Sequence, residues 1–219
     1  MWTLAFDTTA NNCAIALLKD NMVVGKFIQE MEYGQAEVLL PEIQKLLQKE
    51  KIAFTNIQLL GVCVGPGSFT GVRSSVAAAK AFSLVCPNMA VTGVSAFEAY
   101  AHSLDMFELS NYNAVIIETK RDDFYFQLFN GKLEKITDSA ALTYEQIIDL
   151  LKGKNVTLIG NGVERFLDKP SGLMLHAIRM DKMVSVADVA ACALEKMKNK
   201  KLNFPKPLYL RAPDVCVKS

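Results

Sequence analysis

The segment Gly65-Pro66-Gly67-Ser68-Phe69-Thr70-Gly71-Val72-Arg73 sets three glycines and a proline between an apolar run, Leu59 to Val64, and a helix-like run, Val72 to Val85. Glycine is needed where φ must be positive or where another backbone comes close, and Ser68 and Thr70 are residues that cap the amides opening a helix. A loop of this kind either makes a tight strand-to-helix connection or cradles a phosphate at the helix start. It matches neither of two known phosphate loops. The Walker pattern requires Gly-Lys-Ser/Thr where Gly71-Val72-Arg73 stands, and the dinucleotide fingerprint requires its third glycine one residue earlier.

With 219 residues, 51% of them apolar, the chain can bury one large domain or two small lobes. Asp7 and Lys80 interrupt the longest apolar stretches, below the roughly 18 residues that span a bilayer, and no basic region follows Met1. The expected location is the cytoplasm, with no membrane partner. Five cysteines (Cys13, Cys63, Cys86, Cys192, Cys216) without a Cys-x-x-Cys pair suit reduced, buried thiols. A net charge of +1 argues against a chain that grips nucleic acid alone. The local exception is the basic stretch Lys196, Lys198, Lys200, Lys201 and Lys206, which reads either as a solvated helix end or as an RNA contact.

Three strands open the chain (Trp2 to Phe6, Cys13 to Leu18, Met22 to Ile28), with Asp20-Asn21 turning the second into the third. A helix from Gly34 to about Glu50 leads to a strand at Leu59 to Val64, the glycine loop, a helix at Val72 to Val85, a strand near Ala90 to Thr92 and a helix from Ser95 to about Leu104. The second half repeats the theme: strands at Ala114 to Glu118, Phe124 to Phe129 and Leu133 to Ile136, a helix at Tyr144 to Leu151, a strand at Val156 to Ile159, and a helix at Val186 to Lys198 before Pro205 and Pro207. Hairpins preceding helices in each half favour an α/β chain of two mixed lobes over a uniform βαβ repeat. The expected division is residues 1–104 and 105–219, the tail returning to the first lobe.

Leu4-Ala5-Phe6-Asp7-Thr8-Thr9 leading into Cys13-Ala14-Ile15-Ala16-Leu17, then Leu39-Leu40-Pro41, the glycine loop, and Pro207-Leu208-Tyr209-Leu210-Arg211 together resemble the TsaB (YeaZ) family. The resemblance is dense over the first hundred residues and at the tail. It implies an actin-like, Hsp70-like ATPase (ASKHA) fold of two related lobes. It also implies a non-catalytic subunit of the machinery that makes N6-threonylcarbamoyladenosine beside the tRNA anticodon. TsaD, the catalytic paralogue of the same fold, is the implied partner, with TsaE in the complex, a homodimer when TsaB is alone, and tRNA met indirectly.

The residues can be asked whether this chain does chemistry itself. The family's catalytic paralogue holds a metal partly through two histidines four residues apart on the first helix, whereas the histidines here are His102 and His176 and the corresponding helix begins Gly34-Gln35-Ala36-Glu37. No metal site and no catalytic residue are expected. Actin-like ATPases hold phosphates on an acidic hairpin turn in each lobe. Asp7-Thr8-Thr9 resembles the first, as a nucleotide-binding candidate or as a structural turn. Glu118-Thr119-Lys120-Arg121 occupies the second without its glycine, and Gly160-Asn161-Gly162 is not the adjacent pair that holds adenosine. No cofactor is expected to bind tightly; ATP or ADP is placed at the shared interface of the complex.

On the first long helix Val38, Leu39, Leu40, Ile43, Leu46 and Leu47 span an arc of about 200°, about twice what one buried face needs. On the next, Ser74, Ala77, Ala78 and Ala81 put small side chains at helical spacing, and Arg73 sits in the first turn, where a cation opposes the helix dipole and suggests an anionic partner. These are the helices through which the family pairs. The expected interface is therefore Leu39, Leu40, Ile43 and Leu47 with Ser74, Ala77, Ala78 and Ala81, and the signature loop is Gly65, Gly67, Ser68, Thr70, Gly71 and Arg73. Leucine-sized groups would each contribute roughly 1.5–3 kcal/mol before the cost of association. A nucleotide-dependent kinase or ATPase of this fold, and a metallopeptidase-like protein, stay open as other classes.

Overall fold

A computed structural model describes residues 1–211. The first half runs β1 (Trp2–Asp7), β2 (Asn12–Lys19), β3 (Met22–Glu30), α1 (Gln35–Lys49), β4 (Ile57–Cys63), α2 (Phe69–Val85), β5 (Ala90–Val94) and α3 (Ala96–His102). The second half repeats that order: β6 (Tyr112–Glu118), β7 (Asp123–Asn130), β8 (Ala140–Thr143), α4 (Tyr144–Leu151), β9 (Asn155–Ile159), α5 (Val163–Leu167), β10 (Met174–Arg179) and α6 (Val186–Lys198). Each half builds a five-stranded sheet with the same connectivity, β3-β2-β1-β4-β5 and β8-β7-β6-β9-β10. The first three strands of each are antiparallel, and the last two join in parallel through helices.

Local chemistry explains most of this. Asp20 and Asn21 take left-handed φ of 48° and 69°, the geometry of a two-residue hairpin turn. β1, β2 and β4 are apolar almost throughout because both sheet faces are covered. Capping boxes, Ser95 with Glu98 and Thr143 with Gln146, start α3 and α4.

The layers alternate. α1 and α2 cover one face of the first sheet and α4 and α5 one face of the second. α3 and α6 lie between the sheets in a shared core of Phe97, Tyr100, Val189 and Ala193 with Ala5, Leu59, Val115 and Ile117. There the two closing helices exchange sheets: α3 contacts β6 and β7, and α6 contacts β1 and β4. The exchange is tight enough that a Cβ on Gly61 of β4 would stand 2.7 Å from that of Ala193.

Two details differ from the sequence reading. Leu133 to Ile136 is no strand beyond a single bridge between Phe129 and Lys135, because Leu133 turns left-handed (φ 58°) where the Asn130 side chain accepts the amides of Lys132 and Glu134. The third strand of the second half is β8 instead. In addition, α5 and β10 were not anticipated. Among the described residues no disulfide forms, and Cys13, Cys63, Cys86 and Cys192 are buried thiols; Cys216 lies outside the described residues. No helix among them is long and apolar enough to cross a membrane.

Candidate functional site: the glycine loop, the cleft and the outer helix face

The glycine loop after β4 closes on the turn after β1. A Cβ on Gly67 would fall 2.1 Å from the Thr9 carbonyl oxygen, and one on Gly71 1.9 Å from that of Thr8. Only glycine leaves room for backbones this close. The Ser68 amide donates to the Thr9 carbonyl at 2.7 Å, and the Ser68 hydroxyl caps α2 by accepting the Gly71 amide. Thr8 Oγ1 donates to the Gly71 carbonyl at 2.8 Å and lies 2.7 Å from Ser75 Oγ, which also accepts the Thr8 amide. The loop thus brings Gly67, Ser68 and Gly71 together with Thr8 and Thr9, with Gly65 packed against Val72 and the Leu208 carbonyl, while Thr70 in the first turn of α2 and Arg73 just after it remain exposed.

The turn offered to a nucleotide is therefore engaged from within. Asp7, Thr8 and Thr9 are all buried; Asp7 Oδ1 accepts the Thr9 amide at 2.7 Å, and its Oδ2 has no partner. Burial pushes the Asp7 carboxyl above its ordinary value, against the hydrogen bonds from Thr9. Burial likewise raises the Cys63 thiol, reinforced by Asp7.

The second lobe repeats the device. The loop after β9 closes on the end of β6: a Cβ on Gly160 would stand 2.3 Å from the Ile116 carbonyl oxygen, and Asn161 Oδ1 accepts the Glu118 amide at 2.9 Å. Glu118 then receives Arg165 through both oxygens, at 2.6 and 2.9 Å, and Arg165 also lies 3.8 Å from the Phe124 ring centre. Burial alone would raise the Glu118 carboxyl, but Arg165 and the Lys120 amide outweigh it and hold it below its ordinary value. Between the two turns lies a cleft of about 490 Å³ lined by Thr9, Ser68, Tyr100, Glu118, Lys120 and Lys182. At these turns Glu118 is already paired with Arg165, whereas Asp7 holds its own loop through one oxygen and leaves the other without a partner.

The two histidines are far from one another in role. His102 Nδ1 is 2.7 Å from Asp188 Oδ1, joining α3 to α6, and His176 Nε2 is 3.1 Å from the Phe107 carbonyl oxygen.

The outer helices correct part of the expected interface. Leu39, Ile43, Leu46 and Leu47 form one stripe buried against the first sheet, with Ile52, Phe54 and Phe82 packed beside them. Leu39, Ile43 and Leu47 are therefore core residues of this chain, on one buried stripe that the segment after α1 and the flank of α2 help to cover. Leu40 is 52% exposed. On α2, Ala77 and Ala81 are exposed and Ser74 and Ala78 half-buried, and the same face ends in Leu84 and Val85 at 83% and 72% exposure.

Sequence reasoning placed the tail on the first lobe but did not foresee its contacts with the second. Asn203 accepts the Gly93 amide at the edge of β5, and the Leu208 amide donates to the Val64 carbonyl at 2.9 Å beside the glycine loop. Tyr209 then meets the Phe69 ring at 5.3 Å, and Arg211 pairs with Asp123 and lies over Tyr125 of the second lobe. The segment straps one lobe to the other. Its Pro-Leu-Tyr-Leu-Arg pattern was visible, but its contacts are 80 residues or more distant in sequence.

Two duplicated sheets with exchanged closing helices and a cleft between matching turns define the class of the actin-like ATPases and sugar kinases; a ROK hexokinase from Thermus thermophilus superposes with a TM-score of 0.54 at 11% identity, over 90% of this chain and all of that one. YeaZ from Pseudomonas aeruginosa superposes with a TM-score of 0.81 at 20% identity, covering 95% of this chain and 99% of that one. At such identities both show the fold alone. A family model described as "TsaD: tRNA N6-adenosine threonylcarbamoyltransferase" matches residues 33–197. The tRNA threonylcarbamoyladenosine biosynthesis protein TsaB of Buchnera aphidicola is 30% identical over 171 residues, 74% of this chain and 76% of the relative. The chain belongs to that family and, within it, to TsaB (YeaZ).

Proposed function

We propose that this chain is a non-catalytic subunit that pairs with a catalytic paralogue of its own fold, TsaD, and supports threonylcarbamoyl transfer to the adenosine beside the tRNA anticodon. The observation that carries the reading is the face of α2 in which Ala77, Ala81, Leu84 and Val85 stand uncovered, together with the exposed Leu40 of α1. Small side chains admit another helix closely, and large apolar groups exposed in one strip gain from being covered. The engaged phosphate turns supply the other half of the argument, because a chain whose own loops fill its Thr8 and Glu118 turns is poorly built to hold ATP alone. On this reading ATP or ADP lies at the interface shared by the subunits, TsaE joins the same complex, the free chain self-associates through the same face, and tRNA is engaged through the assembly.

Co-purification with the paralogue tests it. Ala81→Arg should fold normally yet lose the paralogue, and the isolated chain should neither hydrolyse ATP at an appreciable rate nor modify tRNA. Retained pairing by Ala81→Arg together with Leu40→Asp, or turnover by the lone chain, would refute the reading.

A further inference from the structure

Arg73, the fifth residue of α2, stands exposed just past the first turn that Ser68 caps. Among the described residues Arg73 makes no ion pair; its guanidinium lies 4.9 Å from the centre of the Phe69 ring. Phe69 in turn meets Tyr209 at 5.3 Å with ring planes 31° apart. Phe69 and Tyr209 are 40% and 45% exposed, so the three groups form a stack open to solvent.

Beside the stack runs a groove of about 190 Å³ bounded by Phe69, Tyr209, Tyr125 and Arg211. At one end it continues into the cleft between the lobes, with which it shares Gly67, Thr119 and Tyr125. Arg211 lines it with its charge partly answered by Asp123, and burial together with Arg121 holds its guanidinium below the ordinary value. Rings open to stacking and guanidiniums at their edges are the pairing that single-stranded nucleic acid meets: bases stack on the rings, and the edge of a stacked guanidinium still donates to a phosphate.

We propose that the Arg73-Phe69-Tyr209 stack and the adjoining groove bind an unpaired segment of RNA, Arg73 holding a phosphate and Tyr209 stacking a base. An acidic peptide would satisfy Arg73 without using the rings, so a ring-dependent RNA interaction separates the two. The near-neutral charge of the chain makes this a weak, salt-sensitive contact that adds to those of the assembly. The proposal deepens the reading of the chain as part of a tRNA-modifying assembly and rests on it.

Fluorescence anisotropy of the full chain with a labelled unmodified tRNA transcript and with a labelled single-stranded 12-mer RNA tests the site, in parallel with co-purification of the paralogue. Arg73→Ala should weaken both RNAs about 10-fold and lower the slope of log affinity against log salt by about 1. Tyr209→Leu should weaken them about 5- to 10-fold with the slope unchanged, and Tyr209→Phe, which keeps the ring, should bind as the wild type does. Pairing with the paralogue should survive in all three variants. Wild-type chain that binds neither RNA at low salt, or that binds a fully duplex RNA equally well, would overturn the proposal, as would Arg73→Ala losing the paralogue while keeping RNA. None of those results would touch the pairing reading, which stands or falls with Ala81→Arg.

Discussion

Gly71 and Thr8 approach so closely that the missing Cβ of the one would lie 1.9 Å from the carbonyl oxygen of the other. The contact locks the first turn of α2 to the end of β1, and the obstacle is backbone, which cannot swing away. Alanine normally stabilises a helix position by ~1 kcal/mol relative to glycine. At this position the overlap should win, and Gly71→Ala is expected to destabilise the chain by about 2 kcal/mol or more in urea unfolding. Gly153, with a φ of 73° and nothing within 4 Å, is the contrasting case: its alanine variant meets only backbone strain and should cost about 1 kcal/mol. Equal effects at the two sites would show that the loop yields and that its glycines are not there for close approach.

The two faces of α1 make opposite demands. Ile43 is 2% exposed in the core cluster with Leu39 and Leu47, so Ile43→Asp buries a charge without a counter-ion and should abolish folding or cost more than about 4 kcal/mol. Leu40→Asp places its charge in water and should change stability by less than about 1 kcal/mol, while reducing capture of the paralogue at least tenfold. Thermal unfolding of both variants separates the roles. An unfolded Leu40→Asp chain would mean that the residue belongs to the monomer's core.

How much of this was legible before the coordinates divides along sequence distance. Runs such as Leu4-Ala5-Phe6 and Leu59-Leu60 announce strands covered on both faces, and Asp20-Asn21 announces its hairpin, because the determinants are adjacent residues. β10 escaped notice because it is an edge strand whose solvent-facing positions include the apolar Met174 and Ile178, so its alternating burial is not matched by an alternation of apolar and polar residues. α5 is five residues long, too short for a helical period. At the site, the three glycines of the loop foretold a close approach but not its object, since Thr8 and Thr9 lie some sixty residues earlier. The apolar arc on α1 divides in the structure: Leu39, Ile43, Leu46 and Leu47 enter the chain's own core, where Phe54 and Phe82 from other segments flank them, and Leu40 stays exposed.

His102 and Asp188 join α3 to α6 across the shared core, and their titration has a defined sign. The hydrogen bond that His102 donates to Asp188 raises it above its ordinary 6.5, with burial opposing and the charges of Asp188 and Glu195 assisting. The folded chain therefore holds that proton more tightly than the unfolded one. The stabilisation is complete below about pH 6.5 and fades as pH rises through the raised value. Burial would raise Asp188, but His102 and Ser185 together hold it below 3.8, so its share is lost only in acid. Both groups are partly exposed, which limits the pair to about 1 kcal/mol. Melting temperatures of the wild type and His102→Gln should differ most near pH 5.5 and converge by about pH 9; a gap that widens toward alkaline pH would contradict the assignment.

Asp7 carries the sharpest test of whether the first turn serves structure or a ligand. It is fully buried, only one of its oxygens is bonded within the chain, and burial raises its carboxyl above the ordinary 3.8. An acid with a raised folded value binds its proton more tightly in the native state, so the native state is favoured below the unfolded value and loses stability as pH climbs toward the folded one. Asp7→Asn keeps an oxygen to accept the Thr9 amide and removes the buried charge. If the turn is structural, this variant should equal or exceed the wild type by about 1 kcal/mol at pH 7.5, with the gap closing toward pH 4, and the pair reconstituted with the paralogue should still modify tRNA. A carboxylate held there for a cation or a phosphate-bound metal would show the same gain in stability on Asp7→Asn, because its burial is the same, but would lose activity. The denaturation curves at several pH values test the buried charge, and the modification assay decides between the two roles.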